Sequence, residues 1–186
     1  HLEISLDGAT AETHDSIRGV NGSFDKIMYN VKLIREISKS RGANIHIGVT
    51  SVLMKENLKE VLDLVYLAKS MNLVNVSFMP VMADNVNLDI RNDKNIMNEK
   101  EIKILNLVIE ELLEFKRKNG LIINPDFALR LYPRYFKGEI SKSSAGCYAG
   151  FMGPNICPDG EVFICKHLIG DINKRSIRDI WYSRKA

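Results

Sequence analysis

The chain has 186 residues, of which 45% are hydrophobic, 26% charged and 8% aromatic. That is enough for one domain with a proper core plus a small appendage, and the composition excludes intrinsic disorder. No apolar run approaches the roughly 18–20 residues of a membrane helix. The net charge of +3 is intermixed, as in Lys32/Arg35/Glu36 and Glu110/Glu111/Lys116, so neither a membrane nor nucleic acid is expected as a partner.

The run Leu2-Glu3-Ile4-Ser5-Leu6 alternates apolar and polar residues and stops at Asp7-Gly8, which predicts a strand ending in a turn. Thr10 can cap a short helix to about Ser16. Ser23 opens a longer helix with Phe24, Ile27, Met28, Val31, Ile34 and Ile37 on one face, closed by Gly42. Residues 44–53 predict a second strand, with Ile45, Ile47 and Val49 alternating. Asn57 and Glu60 have capping-box spacing and should start a helix carrying Leu58, Val61, Leu62, Val65 and Ala68, closed by Asn72. Residues 73–81 predict a third strand with Val74, Val76 and Phe78 on one side.

This β-α-β-α-β order predicts parallel pairing, and three such strands do not close a barrel. Residues 83–97 are polar and predict a loop. Asn98 and Glu101 should start a long helix with Ile102, Leu105, Ile109 and Leu112 inward, ending near Gly120. Residues 126–136 predict a helix broken at Pro133. After residue 146 the texture changes: glycines are frequent and apolar runs short. Pro158-Asp159-Gly160 predicts a hairpin turn between residues 155–157 and 161–165, and residues 176–182 a last short helix.

All three cysteines, Cys147, Cys157 and Cys165, fall within the last 40 residues. An odd, clustered set is a poor disulfide framework, and no signal peptide is visible. A metal or redox role in a reducing, cytoplasmic compartment fits better. Thiolates are soft donors suited to iron–sulfur clusters or zinc, although free cysteines also serve as small buried hydrophobes. The chain begins at His1 and enters a strand at once, as a piece of something longer would.

The segment from Cys147-Tyr148-Ala149-Gly150 through Ile156-Cys157-Pro158-Asp159-Gly160 to Ile164-Cys165, with Ile169-Gly170-Asp171-Ile172 and the 176–181 run after it, resembles the first half of a SPASM or twitch domain. Such domains follow the barrel of radical S-adenosylmethionine (radical SAM) enzymes. The residues Ile4-Ser5-Leu6-Asp7-Gly8, His14-Asp15, Ile17-Arg18-Gly19 and Phe24-Asp25 are similar to that barrel's fourth strand and the turn after it. The two matches occur in the expected order and together cover nearly the whole chain.

The resemblance implies an α/β fold: the later strands of a partial (β/α) TIM-type barrel over residues 1–120, a connecting helical region over 121–140, and the first half of a small, cysteine-bearing α+β auxiliary-cluster domain over 141–186. It implies a parent enzyme, of oxidoreductase or maturase type, that cleaves S-adenosylmethionine to a 5′-deoxyadenosyl radical. Its work would be peptide or protein maturation or, second, cofactor biosynthesis. Its partners would be a peptide or small-molecule substrate and a reductant such as flavodoxin or ferredoxin.

By the same resemblance, Cys147 and Cys165 would be the first two ligands of an auxiliary [4Fe–4S] cluster, with later ligands beyond Trp181. The Cys-x3-Cys-x2-Cys motif of the cofactor-binding [4Fe–4S] cluster belongs on an earlier strand and is absent from these residues, so this chain alone is expected to be inactive. Ser5 and Arg18 would hold the methionine carboxylate of S-adenosylmethionine. Asp7 is expected to cap the following turn, His14 to hold the loop and Cys157 to serve packing or, as the alternative, to act as a substitute ligand. The 78–81 strand end would lie along the adenine, and His167 would be structural. Lys166 stands where sulfatase-maturing members place an aspartate, which argues against that subgroup. A separate possibility is a non-catalytic zinc-binding module using Cys147, Cys157 and Cys165.

Overall fold

Alternation and β-branching place three parallel strands in one sheet: β1 (Leu2–Ser5), β2 (Ile47–Leu53) and β3 (Asn75–Pro80), in that order. The computed structural model describes residues 1–81, 97–139, 153–164 and 167–183. They fall in two compact units, His1–Ile140 and Ser141–Ala186. The loop expected at 83–97 lies outside the described residues except for Met97, which is buried.

Parallel neighbours need long crossovers. Helices α1 (Ala11–Arg18) and α2 (Ser23–Ser40) connect β1 to β2. A 3-10 turn, Leu58–Glu60, and α3 (Val61–Ser70) connect β2 to β3. Thr10 caps α1 as expected, its side chain accepting from the Thr13 N–H. On α2 the buried stripe stops one turn early. Ile37 is 44% exposed, because Ser38 turns inward and donates to the Ala43 carbonyl at 2.6 Å. The second strand starts at Ile47, not residue 44, and Ile45 and Val74 are exposed.

The period of two sorts the sheet into unlike faces. Ile47, Val49, Leu53, Val76 and Phe78 are buried in the core with residues of α3 and of the two helices that follow. The register aligns Glu3, Gly48 and Asn75 in one row and Ser5, Thr50 and Ser77 in the next. This second set is polar. The Thr50 hydroxyl donates to Glu3 Oε1 at 2.9 Å and meets Ser77 Oγ at 2.9 Å. A side chain at Gly48 would put its Cβ 2.1 Å from Asn75 Oδ1 and 2.6 Å from Glu3 Oε2, so it would displace both side-chain ends from that row.

Helix α4 (Glu99–Asn119) begins with the reciprocal Asn98–Glu101 capping box and ends at Gly120 in the left-handed conformation, φ 67°. Ile102, Leu105, Ile109 and Leu112 are buried along it. The apolar run after it does more than connect elements. Val76 N–H donates to the Leu121 carbonyl and Ile123 N–H to the Val76 carbonyl, at 2.9 and 3.0 Å, a parallel bridge beside β3. Helix α5 (Asp126–Phe136) runs unbroken through Pro133. The break expected there does not occur. Leu129, Tyr132 and Phe136 are buried in the core, and their packing offsets the one helical hydrogen bond that proline cannot donate.

In the second unit, β4 (Asn155–Ile156), β5 (Glu161–Ile164) and β6 (His167–Asp171) form an antiparallel meander, followed by α6 (Ile177–Trp181) capped by Ser176. The expected hairpin turns at Gly160, φ 95°, with Gly160 N–H bonded to the Cys157 carbonyl and Cys157 N–H to the Glu161 carbonyl. Val162, Ile169 and Ile180 make its small core. Strand β6 was not expected. Its 167–171 run is short, and only pairing to β5 reveals it.

Candidate functional site

Parallel α/β sheets gather ligands at the carboxyl ends of their strands. Ser5 is the last residue of β1 and is exposed there. Its hydroxyl has no hydrogen-bond partner among the described residues. Two residues on, Asp7 is 2% exposed. Its Oδ1 accepts the Val52 N–H at 2.7 Å, continuing the β1–β2 ladder with a side chain. Its Oδ2 meets Arg18 NH2 at 2.7 Å. Arg18, the last residue of α1, keeps 38% of its side chain exposed. The structure therefore brings Ser5, Asp7 and Arg18 to one strand end. Asp7 does not cap the following turn as expected; its carboxylate is taken by the Val52 N–H and Arg18.

His14 is 1% exposed, and its Nδ1 accepts the Asp7 N–H at 3.1 Å. Burial lowers its pKa, partly opposed by the charge of Asp7. Accepting that bond requires a neutral ring. Asp15 accepts from Ser23 Oγ and from the Phe24 and Gly22 N–H groups at 2.7, 2.9 and 2.5 Å. It closes the α1–α2 turn and caps α2. These bonds, that from the Ser23 hydroxyl first, hold its carboxyl below the ordinary value. His14 thus ties α1, which ends in Arg18, to the turn after β1, and Asp15 ties it to the start of α2.

Asn57 and Glu60 do not form the expected capping box. Asn57 Nδ2 donates to the Asp7 and Val52 carbonyls at 2.8 and 2.7 Å, and its Oδ1 accepts the Met54 N–H at 3.0 Å. Glu60 accepts from Ala9 N–H at 2.9 Å and from the Thr10 and Thr13 hydroxyls. Asn57 serves the buried Asp7 carbonyl, because an unpaired buried group costs more than an exposed cap is worth, and Glu60 gathers three donors of the turn after β1.

At the end of β3, Asn124 Oδ1 accepts the Phe78 N–H at 2.7 Å, and its Nδ2 donates to the Phe78 carbonyl at 2.8 Å. Tyr132 donates to the same carbonyl at 2.6 Å, and Tyr135 to that of Val81 at 2.9 Å. Burial pushes the Tyr132 hydroxyl up to about 12. Sequence reasoning gave Asn57 only a capping role and missed Asn124 and Tyr132. The one available signal was Asn-Pro at 124–125 directly after an apolar run, which marks a turn.

The expected cluster ligands Cys147 and Cys165, and Lys166, lie outside the described residues. Ile164 and His167 are register partners, and Cys165 stands between them in sequence. Cys157 is a half-buried free thiol whose backbone is engaged in the hairpin. His167 is exposed. Among the described residues no group of three His, Cys, Asp or Glu converges as a metal site. A thiolate pair is the right chemistry for iron–sulfur ligation, and the hydroxyl and cationic donors beside β1 suit a carboxylate.

Residues 147–186 match the family model of the SPASM iron–sulfur cluster-binding domain. The AdoMet-dependent heme synthase of Methanosarcina barkeri (strain Fusaro / DSM 804) is 26% identical over 195 residues, covering 97% of this chain and 52% of that protein. The chain is similar to radical SAM enzymes that carry a SPASM domain. SuiB of Streptococcus suis superposes with a TM-score of 0.64 at 16% identity, over 98% of this chain and 43% of SuiB. The enzyme anSMEcpe, solved with bound AdoMet and Kp18Cys peptide, gives 0.59 at 16%, over 98% of this chain and 51% of its own. At such identities these two show the α/β fold with its parallel sheet. The chain spans about half the length of the relatives it matches. The SPASM match begins at Cys147 and contains all three cysteines.

Proposed function

We propose that the whole protein is a radical SAM enzyme in which residues 1–120 supply later strands of a partial (β/α) barrel and Cys147 and Cys165 ligate an auxiliary [4Fe–4S] cluster. The observation that carries this is the SPASM match at 147–186 following a parallel sheet whose first strand ends at Ser5, with the Asp7–Arg18 ion pair just beyond it. S-adenosylmethionine on its own cluster would supply a 5′-deoxyadenosyl radical for hydrogen abstraction. The residues here bind and orient. Ser5 offers a hydroxyl and Arg18 a guanidinium to the cofactor's carboxylate, and the polar row Ser5–Thr50–Ser77 lines the open face of the sheet.

A peptide is the substrate class we favour, since SuiB was solved with its precursor peptide SuiA and anSMEcpe with a peptide. Small-molecule cofactor synthesis of haem type is the second reading, favoured by the heme synthase relative. Electrons would come from a flavodoxin or ferredoxin.

The test is the anaerobically purified whole protein. Absorbance near ~400 nm, acid-labile sulfide, and 5′-deoxyadenosine released from S-adenosylmethionine under dithionite are the expected results. A colourless protein with stoichiometric zinc would replace this reading with the zinc-binding module.

A further inference from the structure

Asp7 is the most constrained side chain at the end of β1. It is 2% exposed, and both carboxylate oxygens are engaged, Oδ1 with the Val52 N–H and Oδ2 with Arg18. Its backbone is held as well, by His14 Nδ1 at its N–H and by Asn57 Nδ2 at its carbonyl. Contacts from β2, α1 and the turn before α3 therefore fix one carboxylate in place. Such a group has no oxygen facing outward for a ligand. Its charge has a single close partner, the Arg18 guanidinium.

Arg18 is the complement. It has five N–H donors in a planar fork, yet Asp7 is its only hydrogen-bond or ion-pair partner among the described residues. The remaining donors sit on a side chain 38% exposed. An arginine whose NH2 group is paired with a rigid carboxylate is held near that carboxylate, and its other donors stay free of partners among the described residues. A long side chain that is already ordered loses less freedom when a ligand binds.

We propose that Asp7 is a positioning residue that holds Arg18 so that its remaining donors, at the strand end that Ser5 closes, receive the carboxylate of an α-amino-acid ligand. This rests on the reading of Arg18 as the site of the cofactor's methionine carboxylate. A purely structural Asp7 would serve only to satisfy the Val52 N–H. Asp7→Asn separates the two roles, because asparagine keeps an oxygen for Val52 while removing the charge that draws Arg18.

The experiment is a double-mutant cycle read by calorimetric binding of S-adenosylmethionine to the whole reconstituted protein, with thermal unfolding as the control on folding. Arg18→Ala is expected to weaken binding roughly tenfold to a hundredfold. Asp7→Asn should weaken it roughly tenfold, and adding Asp7→Asn to Arg18→Ala should cost nothing more. Asp7→Glu, which keeps the charge but moves it, gives the same test should Asp7→Asn not fold, with its loss again vanishing when Arg18 is absent. Wild-type affinity in the Asp7 variants, or a loss that simply adds to that of Arg18→Ala, overturns the positioning role while leaving Arg18 as the carboxylate site. Unchanged affinity in Arg18→Ala overturns both.

Discussion

The side-chain amide of Asn124 closes both backbone hydrogen bonds of Phe78, accepting from its N–H at 2.7 Å and donating to its carbonyl at 2.8 Å. It takes the place of a neighbouring strand where the 121–123 bridge beside β3 ends. Phe78 is 1% exposed, so losing this amide strands polar backbone inside the unit. Asn124→Ala is expected to destabilise the first unit by about 1–3 kcal/mol in chemical denaturation. Asn124→Asp should also destabilise it, because its second oxygen would face the Phe78 carbonyl. Wild-type stability in both variants would show that water replaces the amide at no cost.

His14 ties stability to pH. Its folded pKa lies below the ordinary 6.5 because it is buried, while Asp7 and Asp15 pull it up and Arg18 pushes it down. The unfolded chain therefore binds more protons in this range. The contribution is fully present above about pH 6.5 and is lost as pH falls through the folded pKa. Denaturation between pH 7.5 and 5 should show stability falling below 6.5, with the fall reduced in His14→Asn. An identical slope in the variant would place the titration elsewhere.

Gly170 on β6 lies under Ile180 of α6. A Cβ there would stand 2.7 Å from Ile180 Cγ1 and Cγ2. The second unit's core rests on Val162, Ile169 and Ile180, so there is little to absorb the shift. Gly170→Ala should cost about 1–3 kcal/mol, the usual range for overpacking. Proteolysis within residues 153–183 should speed up, while the first unit stays resistant.

Elements with a strong local signal were legible in the sequence. The Asn98–Glu101 capping box, the Gly120 stop and the Gly160 hairpin are set by residues within a few positions of one another. What could not be read was long-range. Asn57 and Glu60 have capping spacing but answer to the β1 turn some fifty residues away. Pro133 reads as a helix break, yet the packing of Leu129, Tyr132 and Phe136 carries α5 through it. Ser5 and Arg18 were visible only by resemblance. The Asp7–Arg18 pair joins residues that no periodicity connects, and the Val52 N–H that Asp7 also serves comes from another strand.

The most direct test of the account is a count of iron and acid-labile sulfide in anaerobically reconstituted Cys147→Ala, Cys165→Ala and Cys157→Ala variants of the whole protein. Alanine at 147 or 165 should remove about one cluster, roughly four iron atoms, and loosen the second unit, since ligation contributes to its folding. Cys157→Ala should keep full iron and cost at most about 1–2 kcal/mol of packing. Full iron in the first two variants, or an equal loss in Cys157→Ala, would contradict it.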